Sequence, residues 1–256
     1  MVRITASGLA LKRHGGVRLA GGGGPWYQNG SALANSLVAY WKLDEASGQR
    51  NDSAGANHLT DNNTVGSAAG LVYPLAGDFV AANSESLSIA DNAALSTGNI
   101  DFWVAAWVRL TTKTGNVQAF VNKGGNTTGP GGAEFSLRYI ESSDRFGFLI
   151  DGGLGPFPTV LANTFGAVST AVWHFLVAKH DKTANKIYIS VNGGVLDELA
   201  VTLDPLDSTN GFAIGGWFSG VLRPADARIG PVMFGKNYVP TAADITFLYN
   251  GGLGRQ

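Results

Sequence analysis

Between residues 100 and 110 the chain is apolar at almost every position. Side chains of a strand alternate between two faces. On that period Ile100, Phe102, Val104, Ala106, Val108 and Leu110 share one face, and Trp103, Ala105 and Trp107 share the other. Charge enters only near the ends, at Asp101 and Arg109. A strand apolar on both faces lies mid-sheet with a layer on each side, either a second sheet or a groove floored by aromatics. A buried helix would show a similar run. The Trp, Val and Phe content and the preceding turn Ser96-Thr97-Gly98-Asn99 favour the strand.

The same alternation predicts further strands at 37–44, 77–80, 85–89, 117–121, 134–139, 145–150, 173–180, 186–191, 211–216 and 227–234, with others starting at Leu59 and Val195. In 134–139, Phe135, Leu137 and Tyr139 form one apolar face. Asn192-Gly193-Gly194 predicts a tight hairpin, because Asn and Gly tolerate positive φ. Thr241 caps a short helix that stops at Asn250-Gly251-Gly252. Ten or more short strands at even spacing predict an all-β antiparallel sandwich with a C-terminal helix.

Residues 1–35 break this rhythm. They hold short apolar pieces, the break Gly21-Gly22-Gly23-Gly24-Pro25, and the cations Arg3, Lys12, Arg13 and Arg18. They read as an anchoring arm with a glycine hinge, or as a tail, ahead of a domain at 36–256.

Composition narrows the function. Glycine is abundant, at 36 of 256 residues, and charged residues make up only 14%, which suits short strands and many turns. A net charge of −1 gives no field for nucleic acid. With no cysteine, disulfides and thiol chemistry are excluded. No run is long enough to span a membrane, and a secretory leader is not expected, because the N-terminal segment has charges but no long apolar run.

Four stretches, in order, resemble the concanavalin A-like, laminin G-like jelly roll. They are 37–58 with Trp41, Leu43-Asp44-Glu45, Ser47-Gly48, Asp52-Ser53-Ala54-Gly55 and Asn57-His58; Phe102 to Val108; Trp173-His174 through Tyr188 to Asn192-Gly193; and Ile214-Gly215-Gly216 with Ala227-Arg228-Ile229, Phe234 and Tyr249. The resemblance implies a two-sheet sandwich with one concave face, in modules that bind glycans or proteins or serve structurally. Some family enzymes cut glycans with two or three carboxylates on one strand. Here Glu134 and Glu141 lie apart, Asp197 and Glu198 are sequence neighbours on opposite faces, and no G-x-S-x-G elbow occurs. A non-enzyme is expected. The family's calcium loop positions fall on Asp44 and Asp52, whereas the closing strand reads Ile229-Gly230-Pro231-Val232 without the acidic pair. Asx turns are the alternative role for both aspartates, and no other cofactor is expected.

The ligand or interface candidates are the loop aromatics Trp217, Phe218 and Phe157, and the strand pair Trp103 and Trp107, for which a core role competes. The expected function is a non-catalytic attachment or structural protein on a virion or other particle surface, such as a phage decoration or tail component. Its partners would be capsid or tail proteins and further copies of itself. The alternatives are a glycan-binding module facing a cell surface, and a glycoside hydrolase or lyase with an unrecognised site.

Overall fold

The computed structural model describes residues 25–113, 117–125, 132–153, 157–217 and 222–256. Within them the chain forms β-strands and two short α-helices in the order α1 (Ala32–Ser36), β1 (Leu37–Trp41), β2 (Thr60–Asn62), β3 (Gly66–Ala69), β4 (Leu75–Phe79), β5 (Ser86–Ile89), β6 (Phe102–Leu110), β7 (Val117–Gly124), β8 (Ala133–Ile140), β9 (Arg145–Ile150), β10 (Thr159–Leu161), β11 (Trp173–Asp181), β12 (Lys186–Val191), β13 (Asp197–Ala200), β14 (Phe212–Ile214), β15 (Ala227–Lys236) and α2 (Ala242–Tyr249).

Two antiparallel sheets stack face to face. One has the order β13-β12-β11-β6-β15-β4-β3, with β1 also paired to β15. The other runs β10-β9-β8-β7-β14-β5-β2. The strand β15 takes β4 at Ala227 to Ile229 and β1 at Val232 to Gly235 along one edge. Between them the register slips at Gly230-Pro231, where a proline without an N–H is admitted by a bulge.

The strand β6 is central, between β11 and β15, as its pattern predicts. Its face with Phe102, Val104, Ala106, Val108 and Leu110 joins Phe135, Leu137, Phe146, Phe148, Phe212 and Ile214 in the core between the sheets. Its other face, with Trp103, Ala105 and Trp107, joins Tyr40, Phe175 and Met233 in a second core. That core is closed from outside by Trp26, Leu33, Val72 and the α2 residues Ile245 and Leu248. Trp103 donates its indole N–H to Ser36 Oγ at 3.0 Å, tying the sheet to the end of α1. Gly235 has no alternative residue here, because a Cβ would overlap the Trp103 indole. Residues from Pro25 onward thus pack on the sandwich, while the cations Arg3, Lys12, Arg13 and Arg18 and the four-glycine break lie outside the described residues.

Both helices are capped as their sequences require. Ser31 Oγ accepts from Ala34 N in α1, and Thr241 and Asp244 form a reciprocal capping box in α2. Asn250 ends α2 in the left-handed region, as predicted. Four details depart from the sequence reading. The first strand stops at Trp41 because Leu43 adopts a φ of 58°. The short elements β3, β10 and α1 appear where no strand or helix is predicted. The strand β4 starts at Leu75, ahead of the predicted 77. After the Asn192-Gly193 turn, pairing resumes only at Asp197.

Two histidines are buried in the sandwich. His174 packs between Phe146 and Phe165, at 5.2 and 5.4 Å between ring centroids. His180 packs on Phe102 and its Nδ1 lies 2.8 Å from Ile100 O. Burial pushes both below the usual imidazole range. The unfolded chain therefore binds more protons than the folded one below about pH 6.5, so stability contributed by neutral imidazoles is lost as pH falls through that point. Denaturant midpoints are expected to drop between pH 7.5 and 5.5, and the drop is expected to shrink in His174→Gln. An equal drop in both proteins would contradict it.

Candidate functional site

The two outer faces of the sandwich are unlike. On the eight-stranded sheet, Trp103 is fully buried and Trp107 is 2% exposed. Trp107 stacks on Tyr249 from the end of α2, with centroids 5.9 Å apart. The expectation that these two rings floor an open groove is therefore corrected: the chain's own residues 26–36 and α2 occupy that position.

On the seven-stranded sheet, one register row crosses every strand: Thr159, Leu149, Ser136, Asn122, Ala213, Ser88 and Thr60. Strand parity sets these residues outward, since their neighbours Val160, Phe148, Phe135, Leu137, Val121, Phe212, Ile214 and Leu87 are in the core. The row is small and polar apart from Leu149 and Ala213. Asn122 and Ser136 are fully buried although they lie on the outward face. Asn122 Nδ2 donates to Gly124 O at 2.7 Å, and its Oδ1 is left without a partner, as is Ser136 Oγ. A buried polar atom without a partner is unusual enough to need a reason.

Beside that row lies Arg138, two residues beyond Ser136 on β8. Its Nη2 donates to Thr159 Oγ1 at 2.9 Å, and its Nε has no partner. Burial, followed by the neighbouring Arg223 charge, lowers Arg138 to about 10, so it stays a cation at neutral pH. Arg223 is brought there by the backbone: its carbonyl accepts from Ala119 N at 3.0 Å, and Ala119 is the register partner of Arg138. Arg223 holds a φ of 55°, and its guanidinium sits 5.7 Å from the centre of the Trp217 ring. Thr159 in turn donates to Phe157 O at 3.1 Å, and Phe157 is 47% exposed two residues before the edge strand β10.

Two of the three loop aromatics singled out in the sequence thus adjoin this group, Trp217 through the Arg223 guanidinium and Phe157 through its backbone carbonyl to Thr159. Trp217 is 9% exposed and its indole N–H lacks a partner. Phe218 lies outside the described residues. Arg138, Arg223, Asn122, Ser136 and Thr159 are absent from the sequence-level candidates. The signal for two of them was present in the polar face of 134–139, opposite Phe135, Leu137 and Tyr139.

A second polar region lies at the end of the sandwich where 90–101 and 203–211 cross. It is a cleft of about 480 Å³ lined by Asp91, Ser96, Thr97, Asp207, Lys236 and Asn237. Its charges are largely engaged. Lys236 Nζ donates to Ala93 O and Ser96 O at 3.0 and 2.7 Å. Asp91 Oδ1 accepts from the buried Lys123 at 2.8 Å. Lys123 also pairs with Glu134, at 2.8 Å with both side chains fully buried. Glu134 further accepts from Thr97 N and Oγ1 and from Ser208 N and Oγ, at 2.7 to 3.0 Å. This carboxylate is a structural hub.

Of the two aspartates at the calcium-loop positions, Asp52 serves the turn. Asp52 is 5% exposed and uses all its capacity internally: Oδ1 accepts from Tyr40 N and Ala54 N, and Oδ2 from Asn57 N and Nδ2. It organises the turn that follows β1, the Asx role. Asp44 is half-buried beside that turn. Among the described residues no three His, Cys, Asp or Glu side chains gather into a group that could hold a metal, and no helix is long and apolar enough to cross a membrane.

With the sheet order and the two faces in view, the match to known proteins is informative. A profile of the concanavalin A-like lectin/glucanases superfamily, in its laminin G form, matches residues 81–246, more than half of the chain. The chain belongs to this superfamily. No curated protein matches it in sequence. Solved lectin-like sandwiches resemble it in fold. Domain 4 of AbnA, an extracellular GH43 arabinanase of Geobacillus stearothermophilus in complex with arabinotriose, has a TM-score of 0.62 at 19% identity, covering 83% of this chain and 97% of that domain. The binding domain of Paraclostridial Mosquitocidal Protein 1 has a TM-score of 0.64 at 12% identity, over 85% of this chain and 52% of that one. The binding domain of botulinum neurotoxin DC, in complex with SialylT, has a TM-score of 0.62 at 12% identity, over 84% and 51%. The lectin-like sandwich thus spans about half the length of the toxin binding domains it matches.

Proposed function

We propose that this chain is a non-catalytic attachment module that recognises a saccharide on the outer face of its seven-stranded sheet. The observation that carries the reading is the contrast between the two outer faces. One is closed by Trp26, Leu33 and α2, whereas the other carries the half-buried Arg138 and Arg223 and the exposed ring of Phe157, with Asn122, Ser136 and Trp217 buried beneath its surface. Saccharide recognition combines ring faces that cover C–H patches with a few polar groups that fix orientation. Arabinotriose in complex with domain 4 of AbnA, and SialylT in complex with the botulinum neurotoxin DC binding domain, support this choice of ligand class.

The non-catalytic part of the reading rests on the fate of the carboxylates. Glu134 is bound by Lys123, Thr97 and Ser208, and Glu85 by Val80 N and Asn83. Asp197 accepts from Thr164, and Glu198 pairs with Lys186. A glycosidase pair instead needs two carboxyls facing one another across a substrate.

A glycan array is expected to give saccharide signals that fall about tenfold in Trp217→Ala, the scale of one well-placed aromatic contact. No reducing ends are expected from the bound polysaccharides. Absence of any saccharide binding by the folded protein overturns the reading, and product release overturns its non-catalytic part. The particle-surface role is a further part of the proposal and concerns residues 1–24. Removing them is expected to abolish incorporation into the particle while the sandwich stays folded.

A further inference from the structure

The two sheets end side by side at β10 and β13. Among the described residues β13 pairs only with β12, and β10 only with β9, so each has one backbone edge without a neighbouring strand. Asp197 and Leu199 stand opposite Ile189 and Ile187 of the core and therefore face inward, while Glu198 faces out with Tyr188. Two adjoining hollows of about 190 and 230 Å³ lie along this seam. One is lined by Leu161, Asn163 and Leu199, the other by Phe165 and Val195, with Asp197 common to both. Val195 is 70% exposed, and Phe165 and Leu199 are exposed as well. Thr164 donates to Asp197 through N and Oγ1, which leaves an apolar groove beside an open strand edge. Glu198, on the outer side of that edge, pairs with Lys186 and stays half exposed.

An edge of this kind takes an extended segment whose alternate side chains suit the groove and the rim. Residues 1–24, outside the described residues, contain one. They hold Arg3, Lys12, Arg13 and Arg18 and no acidic residue, which leaves residues 25–256 with 14 cations against 19 anions. In Val2-Arg3-Ile4-Thr5-Ala6 the strand period sets Val2, Ile4 and Ala6 on one face and Arg3 and Thr5 on the other. The chain joins the sandwich close to the groove. Trp26 packs on Phe247 of α2 with ring centroids 6.4 Å apart, and Tyr249, two residues further along α2, lies against Gly193 in the turn that leads to Val195. Helix rise and ring size put Pro25 roughly 20 Å from that end of the groove. The connection 7–24 has seven glycines in 18 residues, and a glycine-rich chain of that length spans about 23 Å. Val17-Arg18-Leu19 repeats the alternation, but residues 20–24 reach only about 17 Å when fully extended, short of β13.

We propose that residues 2–6 dock along β13 of their own chain as an added edge strand, with Val2 and Ile4 over the groove at Leu199 and Arg3 beside Glu198. A tether whose length matches the span gives an effective concentration in the millimolar range, which favours the same chain over a second copy. The docked segment covers an edge that would otherwise pair with other molecules. The proposal is independent of the saccharide reading.

The test is amide hydrogen exchange on the whole chain, parent against Ile4→Asp, a variant that leaves every residue of the two cores in place. Exchange at residues 197–200 is expected to rise at least about tenfold, with β6 and β11 unchanged, and to rise less in Arg3→Gln. Unchanged exchange at 197–200 in Ile4→Asp overturns the proposal. Because the chain has no cysteine, introduced pairs report the contact directly. Ile4→Cys is combined in turn with Glu198→Cys, Leu199→Cys and Ala200→Cys, which covers neighbouring registers. Mild oxidation is expected to give a disulfide within a monomer in at least one of the three. A disulfide that links two chains, or none in all three, overturns docking on the same chain. Either failure leaves saccharide recognition standing.

Discussion

Lys123→Met is expected to destabilise the protein by about 3–5 kcal/mol, the usual consequence of removing one partner of a buried ion pair. Lys123 Nζ meets four acceptors at once: Asp91 Oδ1, Glu134 Oε1, Ser208 O and Asn210 O, at 2.8, 2.8, 3.3 and 2.5 Å. Methionine matches the volume and removes the charge. Glu134, fully buried, then keeps only the neutral donors of Thr97 and Ser208. The pair ties β7 and β8 to the loops at 91–97 and 208–210, so the loss should also loosen the end of the sandwich. Urea unfolding of Lys123→Met measures it. The double variant Lys123→Met/Glu134→Gln is expected to recover part of the loss, because the uncompensated charge is gone. A single-variant loss below about 1 kcal/mol would contradict the view of Glu134 as a structural hub.

Trp103→Ala is expected to cost a similar amount, about 3–5 kcal/mol, from transfer and cavity terms together. Its ring lies against Gly235, which has no side chain to fill the space, and its N–H bond to Ser36 Oγ joins β6 to α1. Loss of the ring therefore also releases the cover formed by Trp26 and Leu33. Limited proteolysis is expected to cut near residues 25–36 in the variant and not in the parent. Were Trp103 instead part of an open ligand groove, its removal would weaken binding and leave stability within about 1 kcal/mol. The two outcomes are cleanly separated by one denaturation series.

Much of the sandwich is readable from local pattern. The double-sided apolar character of β6, the Asn192-Gly193 turn and the Thr241 cap all act through neighbours in sequence, and all appear in place. What pattern does not settle is what lies against an apolar face. Trp103 and Trp107 look the same whether a ligand or Trp26, Leu33, Ile245 and Leu248 cover them, and those covering residues come from both flanks of the domain. Likewise β3, β10 and α1 are three to five residues long, and pairing or packing supplies what their own propensities do not. Leu43 ends β1 in a conformation that leucine does not prefer, set by packing in the core.

The proposed ligand face shows the same division. Trp217 and Phe157 stand out in sequence as loop aromatics, and the polar positions of 134–139 mark one face of β8. That Ser136 faces Asn122, that Arg138 faces Ala119, and that Ala119 holds Arg223, follows only from strand order and register. Asp52 is the converse case. Its motif position suggests a cation, whereas the two oxygens are filled by four N–H donors from Tyr40, Ala54 and Asn57.

Amide hydrogen exchange with and without the strongest array saccharide tests the location of the proposed ligand face most directly. Slowed exchange is expected in β7, β8 and β10 and in residues 222–225, with the cleft residues 91–97 and 236–237 unchanged. Protection confined to that cleft, or to β6 and β11 beneath Trp26 and α2, would contradict the account.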